Sequence, residues 1–328
     1  MKTSISEKLF EVSRRKKIPL IVNFEVTHRC NLDCVHCYHS SASVRIREEL
    51  KTSEIETLLE SLKETGTMFL VFTGGEPFLR EDIGRLLNTA KNLGFSVIIF
   101  TNGTLIDDKT AEMIADIVPF SVQLSVYSAR KDIHDGIVRK KGAFEKTIKA
   151  AALLRNKGVN VLLKTPVMKE NLRGLEELKN WAESEGYRIK IDPFISPCDA
   201  NNAVEITRHR IPVGAINELV AEKSLFDPGN FRPRTLLECP AGMNTAALDA
   251  GGDVFPCIVW RKSAGNIRQE EFAAIWGRMD PCYDVISDCS GCENLQFCGV
   301  CPGVAGIEGR DIFCQMADNV RKIIEGRR

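Results

Sequence analysis

Leu20-Ile21-Val22-Asn23-Phe24-Glu25-Val26, then Thr27-His28-Arg29, then Cys30-Asn31-Leu32-Asp33-Cys34-Val35-His36-Cys37-Tyr38 is the stretch from which the rest of the chain is read. The first seven residues make an apolar strand, and a CxxxCxxC loop follows directly on its C-terminal end. Three thiolates on one tight loop can ligate three irons of a cubane 4Fe-4S cluster, whereas a cluster held wholly by protein takes four. One iron is left for another ligand. A zinc knuckle is the alternative for the same residues, with His28, His36 and His39 able to join the thiolates; the histidines also read as plain loop residues beside the metal.

Working outward, 328 residues with 44% hydrophobic content suffice for one large α/β domain and a smaller second one. The 44 basic residues balance 44 acidic ones, so no nucleic acid or anionic membrane is called for as partner. The N-terminus is polar and charged, and apolar runs such as Val97-Ile98-Ile99-Phe100 are only strand length, so neither a signal peptide nor a membrane span is expected. A cytoplasmic chain keeps its thiols reduced, so its 12 cysteines read as metal ligands and not as disulfides.

Residues 1–17 read as a short amphipathic helix ending in Arg14-Arg15-Lys16-Lys17, a solvated run suited to a helix C-terminus. Beyond the cysteine loop, Ile55, Leu58, Leu59 and Leu62 place a helix over 52–64, with Thr52 or Ser53 as its cap. Strands follow at 68–72, 95–100, 121–126, 159–164 and 188–194, alternating with helices at 83–93, 108–117, 144–156 and 172–185. Counted from Leu20 this is about six βα units, too few to close an eight-stranded barrel. The expected fold is therefore α/β, a partial (β/α)6 barrel whose unusual loops gather at the C-terminal ends of the strands.

The cysteine spacing, followed at the end of the second strand by Thr73-Gly74-Gly75-Glu76-Pro77, resembles the radical S-adenosylmethionine (SAM) superfamily. The resemblance implies that the open iron chelates SAM, which is reductively cleaved to a 5'-deoxyadenosyl radical that takes a hydrogen atom from a C-H bond. In that family pattern the backbone at Gly74 and Gly75 approaches the methionine ammonium and Glu76 adds a carboxylate to it. Ser125 offers a polar side chain to SAM, Tyr38 packs near the adenine, and Arg139 pairs with the SAM carboxylate or, alternatively, makes a surface ion pair. Tyr127 stands where many relatives carry Asp.

Eight of the cysteines lie in the last ninety or so residues: Cys239, Cys257, Cys282, Cys289, Cys292, Cys298, Cys301 and Cys314. This segment shows little apolar periodicity and is expected to depend on metal for its stability, with a β-hairpin over 245–255 around Gly251-Gly252. It resembles the SPASM extension of radical SAM peptide maturases. Family precedent assigns Cys289, Cys292, Cys298 and Cys314 to one auxiliary 4Fe-4S cluster and Cys239, Cys257 and Cys301 to another, with Cys282 as fourth ligand or the site left open. Two zinc sites are the alternative. Cys198 and Asp199, just past the last strand, are candidate catalytic groups; a lone cysteine is also often inert.

The division expected is 1–198 for the N-terminal helix and barrel, 199–235 for a linker carrying one helix, and 236–328 for the auxiliary-cluster domain. The function expected is an enzyme, a radical SAM/SPASM maturase that oxidatively modifies a peptide or protein substrate to a cross-link or thioether. Its implied cofactors are SAM, one SAM-binding cluster and two auxiliary clusters. Its implied partners are a ferredoxin- or flavodoxin-like reductant and, for a precursor peptide, a separate small protein or the SPASM surface that presents it, since strand one begins by about residue 20. The alternatives are a tetrapyrrole or small-cofactor maturase acting on carboxylate side chains, a formylglycine-type sulfatase maturase, which the absence of a cysteine at 241–248 disfavours, and a non-catalytic iron-sulfur electron carrier.

Overall fold

A computed structural model describes residues 5–38, 48–198, 200–221, 239–281, 289 and 291–326. Helix α1 (Ile5–Arg15) leads into β1 (Ile21–Thr27), and the chain then alternates through α2 (Thr52–Glu64), β2 (Phe69–Gly74), α3 (Ile83–Asn92), β3 (Ser96–Thr101), α4 (Asp108–Ile117) and β4 (Ser121–Ser125). Two helices, α5 (Lys131–Val138) and α6 (Ala143–Asn156), separate β4 from β5 (Val161–Pro166), and α7 (Leu175–Ser184) precedes β6 (Arg188–Asp192). The second part of the chain holds α8 (Ala200–Thr207), α9 (Val213–Ala221), β7 (Thr245–Leu248), β8 (Asp253–Phe255), β9 (Gly265–Asn266), α10 (Phe272–Arg278), α11 (Pro302–Glu308) and α12 (Asp311–Glu325).

The nine strands among the described residues belong to one sheet in the order β6-β5-β4-β3-β2-β1-β7-β8-β9. The pairings from β6 to β1 are parallel, as the βα alternation requires, and β7 joins the other edge of β1 in parallel, with Ile21 opposite Thr245 and Phe24 opposite Leu248. The hairpin β7–β8 and strand β9 continue the sheet antiparallel. The edge of β1 that an incomplete barrel would leave open is thus covered.

Side chains alternate across each strand with period two. Val22, Phe24 and Val26 of β1, Leu70 and Phe72 of β2, Val97 and Ile99 of β3 and Leu163 of β5 are buried in one core with Ile55, Leu59, Leu62, Leu86 and Leu87 from the helices. Each such large side chain removed from water contributes about 1.5–3 kcal/mol before entropy is subtracted. The opposite parity carries Asn23, Glu25, Ser125 and Lys164. Lys164 Nζ lies over the Phe100 ring, 4.2 Å from its centre, reaching past β4 to β3, which marks this face as the concave one.

Three expectations are corrected. Lys51, not Thr52 or Ser53, caps α2: its N-H donates to the Glu54 carboxylate at 2.7 Å, and the Thr52 hydroxyl donates to Asp82 at 2.7 Å. Among its described residues the bridging region holds two helices, α8 and α9, where one was expected. The cysteine-rich segment is not poor in core: Leu248, Val254, Phe272, Ile275, Trp276 and Met279 join the main barrel core, because β7 is fused to the sheet and carries α10 with it. Its stability therefore rests on apolar burial as well.

Candidate metal centre and barrel mouth

The cysteine loop is held at both ends. A register shift in β1 between Glu25 and Thr27 turns the chain out of the sheet. Buried Arg80 then donates to the carbonyls of Val26 at 2.9 Å and Leu50 at 3.1 Å, while Asp82 fixes its fork. Glu49 accepts from the Thr27 hydroxyl at 2.6 Å and the His28 N-H at 3.0 Å. In the middle, the Asp33 and Val35 N-H groups donate to the Val138 and Ile137 carbonyls, the free C-terminal carbonyls of α5. Arg139, left-handed at φ 54° as that helix ends, pairs with Asp33 at 3.0 Å; both are half-exposed.

Gly74 and Gly75 are required by close backbone approach. A Cβ at Gly74, whose φ is 121°, would overlap the Thr27 carbonyl oxygen, and one at Gly75 would overlap that of Arg29. Glu76 is fully buried, accepting from the Thr101 hydroxyl at 2.7 Å, the Asn102 N-H at 2.8 Å and the Phe78 N-H at 3.2 Å. Burial pushes its carboxyl up to about 7 although those three donors work against the shift. The Asn102 amide, in turn, donates to Asn31 at 3.0 Å and reaches the Cys30 sulfur at 4.0 Å, so the β2 and β3 ends are hydrogen-bonded to the loop.

Cys30, Cys34 and Cys37 come together. Burial, with Cys37 and Cys30 beside it, pushes the Cys34 thiol up to about 12. The Tyr127 side chain is buried beside both Cys34 and Ser125, so Ser125 and the residue that stands in place of the family's Asp lie next to the sulfur. Tyr127 stands edge-on to His36 at 5.0 Å, and its N-H donates to His134 Nδ1 at 3.3 Å. Burial drives both imidazoles down to about 4.

At the mouth, the Tyr38 hydroxyl donates to Glu25 at 3.2 Å, and the Cys198 thiol donates to the Tyr38 carbonyl at 3.7 Å. Glu25, fully buried on the concave face, forms a salt bridge with Arg261 from the cysteine-rich segment. Cys198 and Arg261 line a cavity of about 250 Å³ with Val259, Trp260, Lys262 and Ile307. Farther out, Cys289, Cys292, Cys298 and Cys314 line a second, apolar cavity of about 40 Å³, with Arg310 Nη1 at 3.4 Å from the Cys289 sulfur. Cys257 is half-buried near Cys301 and Cys239, and desolvation is the first cause that raises its thiol to about 11. His39, Asp199 and Cys282 lie outside the described residues.

Residues 24–182 match the radical SAM superfamily and residues 239–302 the SPASM iron-sulfur cluster-binding domain. The chain is 33% identical to the Fe-coproporphyrin III synthase of Methanosarcina barkeri, over 82% of this chain and 75% of that one. It belongs to the radical SAM superfamily and carries a SPASM domain. An AdoMet-dependent heme synthase of Oleidesulfovibrio alaskensis is 25% identical, over 86% of this chain and 82% of that one. The antilisterial bacteriocin subtilosin biosynthesis protein AlbA of Bacillus subtilis is 26% identical, over 87% of this chain and 67% of that one. In fold, the chain is similar to native anSMEcpe with bound AdoMet at TM-score 0.69, 20% identity and 94% and 98% coverage. It is equally similar to Streptococcus suis SuiB bound to precursor peptide SuiA, at TM-score 0.69, 18% identity and 92% and 78% coverage.

The radical SAM and SPASM families imply SAM and 4Fe-4S cofactors, which supply the electron and the carbon-centred radical when bound. The residues present fit thiolate-held clusters. Backbone N-H groups of Asn31 and Leu32 point at Cys30, those of Val259 and Trp260 at Cys257, and those of Gly303 and Val304 at Cys301, donors that favour thiolate over thiol. Among the described residues no three His, Cys, Asp or Glu side chains close on the single point that one metal ion needs; cubane thiolates sit on separate irons and need not converge so. Sequence reading missed Arg80, Glu49, Glu25 and Arg261. Glu25 had a signal, a charge inside an otherwise apolar strand. The others act through partners far away in sequence.

Proposed function

We propose that this radical SAM/SPASM enzyme takes a hydrogen atom from a carboxylate-bearing side chain of a tetrapyrrole. The observation that supports this reading is the 33% identity to the Fe-coproporphyrin III synthase. In this reading Cys30, Cys34 and Cys37 hold the SAM-binding cluster, and the strand-end backbone at Gly74 and Gly75, with Ser125, receives SAM. Glu76, whose oxygens are already engaged, sets the direction of those strand ends, and Arg139 is available to the SAM carboxylate by exchange from Asp33. Cys289, Cys292, Cys298 and Cys314 hold one auxiliary cluster, and Cys239, Cys257 and Cys301 another. The working division of the chain is 1–198, 199–235 and 236–328, in a reducing cytoplasmic setting with a ferredoxin- or flavodoxin-like donor.

Peptide maturation is the second reading, favoured by the 26% identity to AlbA; its substrate would be a precursor peptide. One experiment separates the two. Enzyme reconstituted anaerobically with iron and sulfide is given SAM, a reductant, and either iron tetrapyrroles bearing acetate and propionate arms or candidate precursor peptides. A mass loss in the tetrapyrrole, matched by 5'-deoxyadenosine, is the expected result. A mass change confined to the peptide would replace the first reading with the second.

A further inference from the structure

We propose that the cavity between the barrel mouth and the SPASM segment is a carboxylate-arm subsite, in which Arg261, held by Glu25, anchors one acid side chain of the substrate. The proposal deepens the tetrapyrrole reading and rests on it.

Arg261 follows Cys257 by four residues, and its partner Glu25 lies on β1 just before the first cysteine loop, so the subsite sits between the two cysteine fields. The guanidinium is built in place. Glu25 takes Nη2, the Ile258 carbonyl accepts from Nε at 3.2 Å, and the Tyr38 and Phe255 rings flank it at 5.4 and 5.5 Å. Five N-H donors in a rigid fork leave donors beyond these two bonds, in a geometry that matches a carboxylate.

The remaining walls suit the same ligand. Lys262 brings a second cation, while Trp260, Val259 and Ile307 give an apolar surface for the edge of a flat ring. The volume of about 250 Å³ is below the ~300–1,000 Å³ of pockets that enclose a whole drug-sized ligand. It admits one arm and a ring edge, not a macrocycle. A merely structural pair would need neither a cavity at its side nor a second cation on the wall.

The test titrates the reconstituted full-length enzyme with iron coproporphyrin III, which carries four propionates, and with its tetramethyl ester, following the Soret band. Wild type is expected to bind the acid, and Arg261→Gln to weaken it at least tenfold without weakening the ester. Because Arg261→Gln strands Glu25, the Glu25→Gln/Arg261→Gln pair is measured too and must show the same acid-specific loss. Acid binding insensitive to Arg261, or equal loss for acid and ester, overturns the subsite and leaves the tetrapyrrole reading standing. If neither compound binds wild type, both fall.

Discussion

Gly75 marks the tightest backbone approach at the site. A methyl group there meets the Arg29 carbonyl, and main-chain atoms cannot swing aside as a long side chain would. Gly75→Ala is therefore expected to cost about 1–3 kcal/mol by overpacking and to lower the iron bound per chain, checked by thermal unfolding and iron assay. His134, with His36, contributes to the pH dependence. Its Nδ1 accepts the Tyr127 N-H, so protonation breaks that bond, and burial holds its pKa near 4 against about 6.5 when unfolded. Its share of stability is complete above pH 6.5 and is lost as pH falls toward 4, amounting to about 2 kcal/mol by pH 5. Urea unfolding of wild type and His134→Gln at pH 7 and pH 5 checks this: the variant, which keeps an acceptor but no titrating group, should lose less stability over that interval.

At the scale of elements, helix α5 braces the cysteine loop through its C-terminal carbonyls, and helix α11 shapes the proposed subsite. Gly306 on α11 leaves room for the Trp260 indole, and a Cβ there would overlap the ring. Gly306→Ala should push the indole into the neighbouring cavity, shifting tryptophan fluorescence and costing about 1–3 kcal/mol. Unchanged emission would show that the ring rests elsewhere. The periodicity of 52–64 and 108–117 placed α2 and α4 well, because long amphipathic runs declare themselves locally. Helix α5 was not legible: its eight residues include Gly136 and few apolar positions, and it is held by contacts with the loop and with α6.

Across the whole molecule, the barrel and the cysteine-rich segment are tied by the shared sheet and by Glu25–Arg261, and the bridging region is tied to the cysteine-rich segment by Arg210–Glu308. Arg210 is buried, donates to both Glu308 oxygens at 2.6 and 2.9 Å and to the Ile195 carbonyl, and lies over the Phe194 ring at 4.0 Å. Arg210→Ala, which leaves Glu308 as an uncompensated charge, is expected to cost about 3–5 kcal/mol; Arg210→Ala/Glu308→Ala should recover part of it. Denaturant unfolding in a double-mutant cycle checks both, and additive losses would mean the pair is not coupled.

The sequence alone determined the βα alternation, the six-stranded count and the CxxxCxxC loop at the end of the first strand, because periodicity and short spacings are written between near neighbours. Only the tertiary structure decided that β7 docks on β1, that Tyr127 meets Cys34, and that Arg261 enters the barrel mouth 236 residues away from Glu25. Such pairings depend on which buried polar groups find partners once the sheet closes, and no local pattern records that choice.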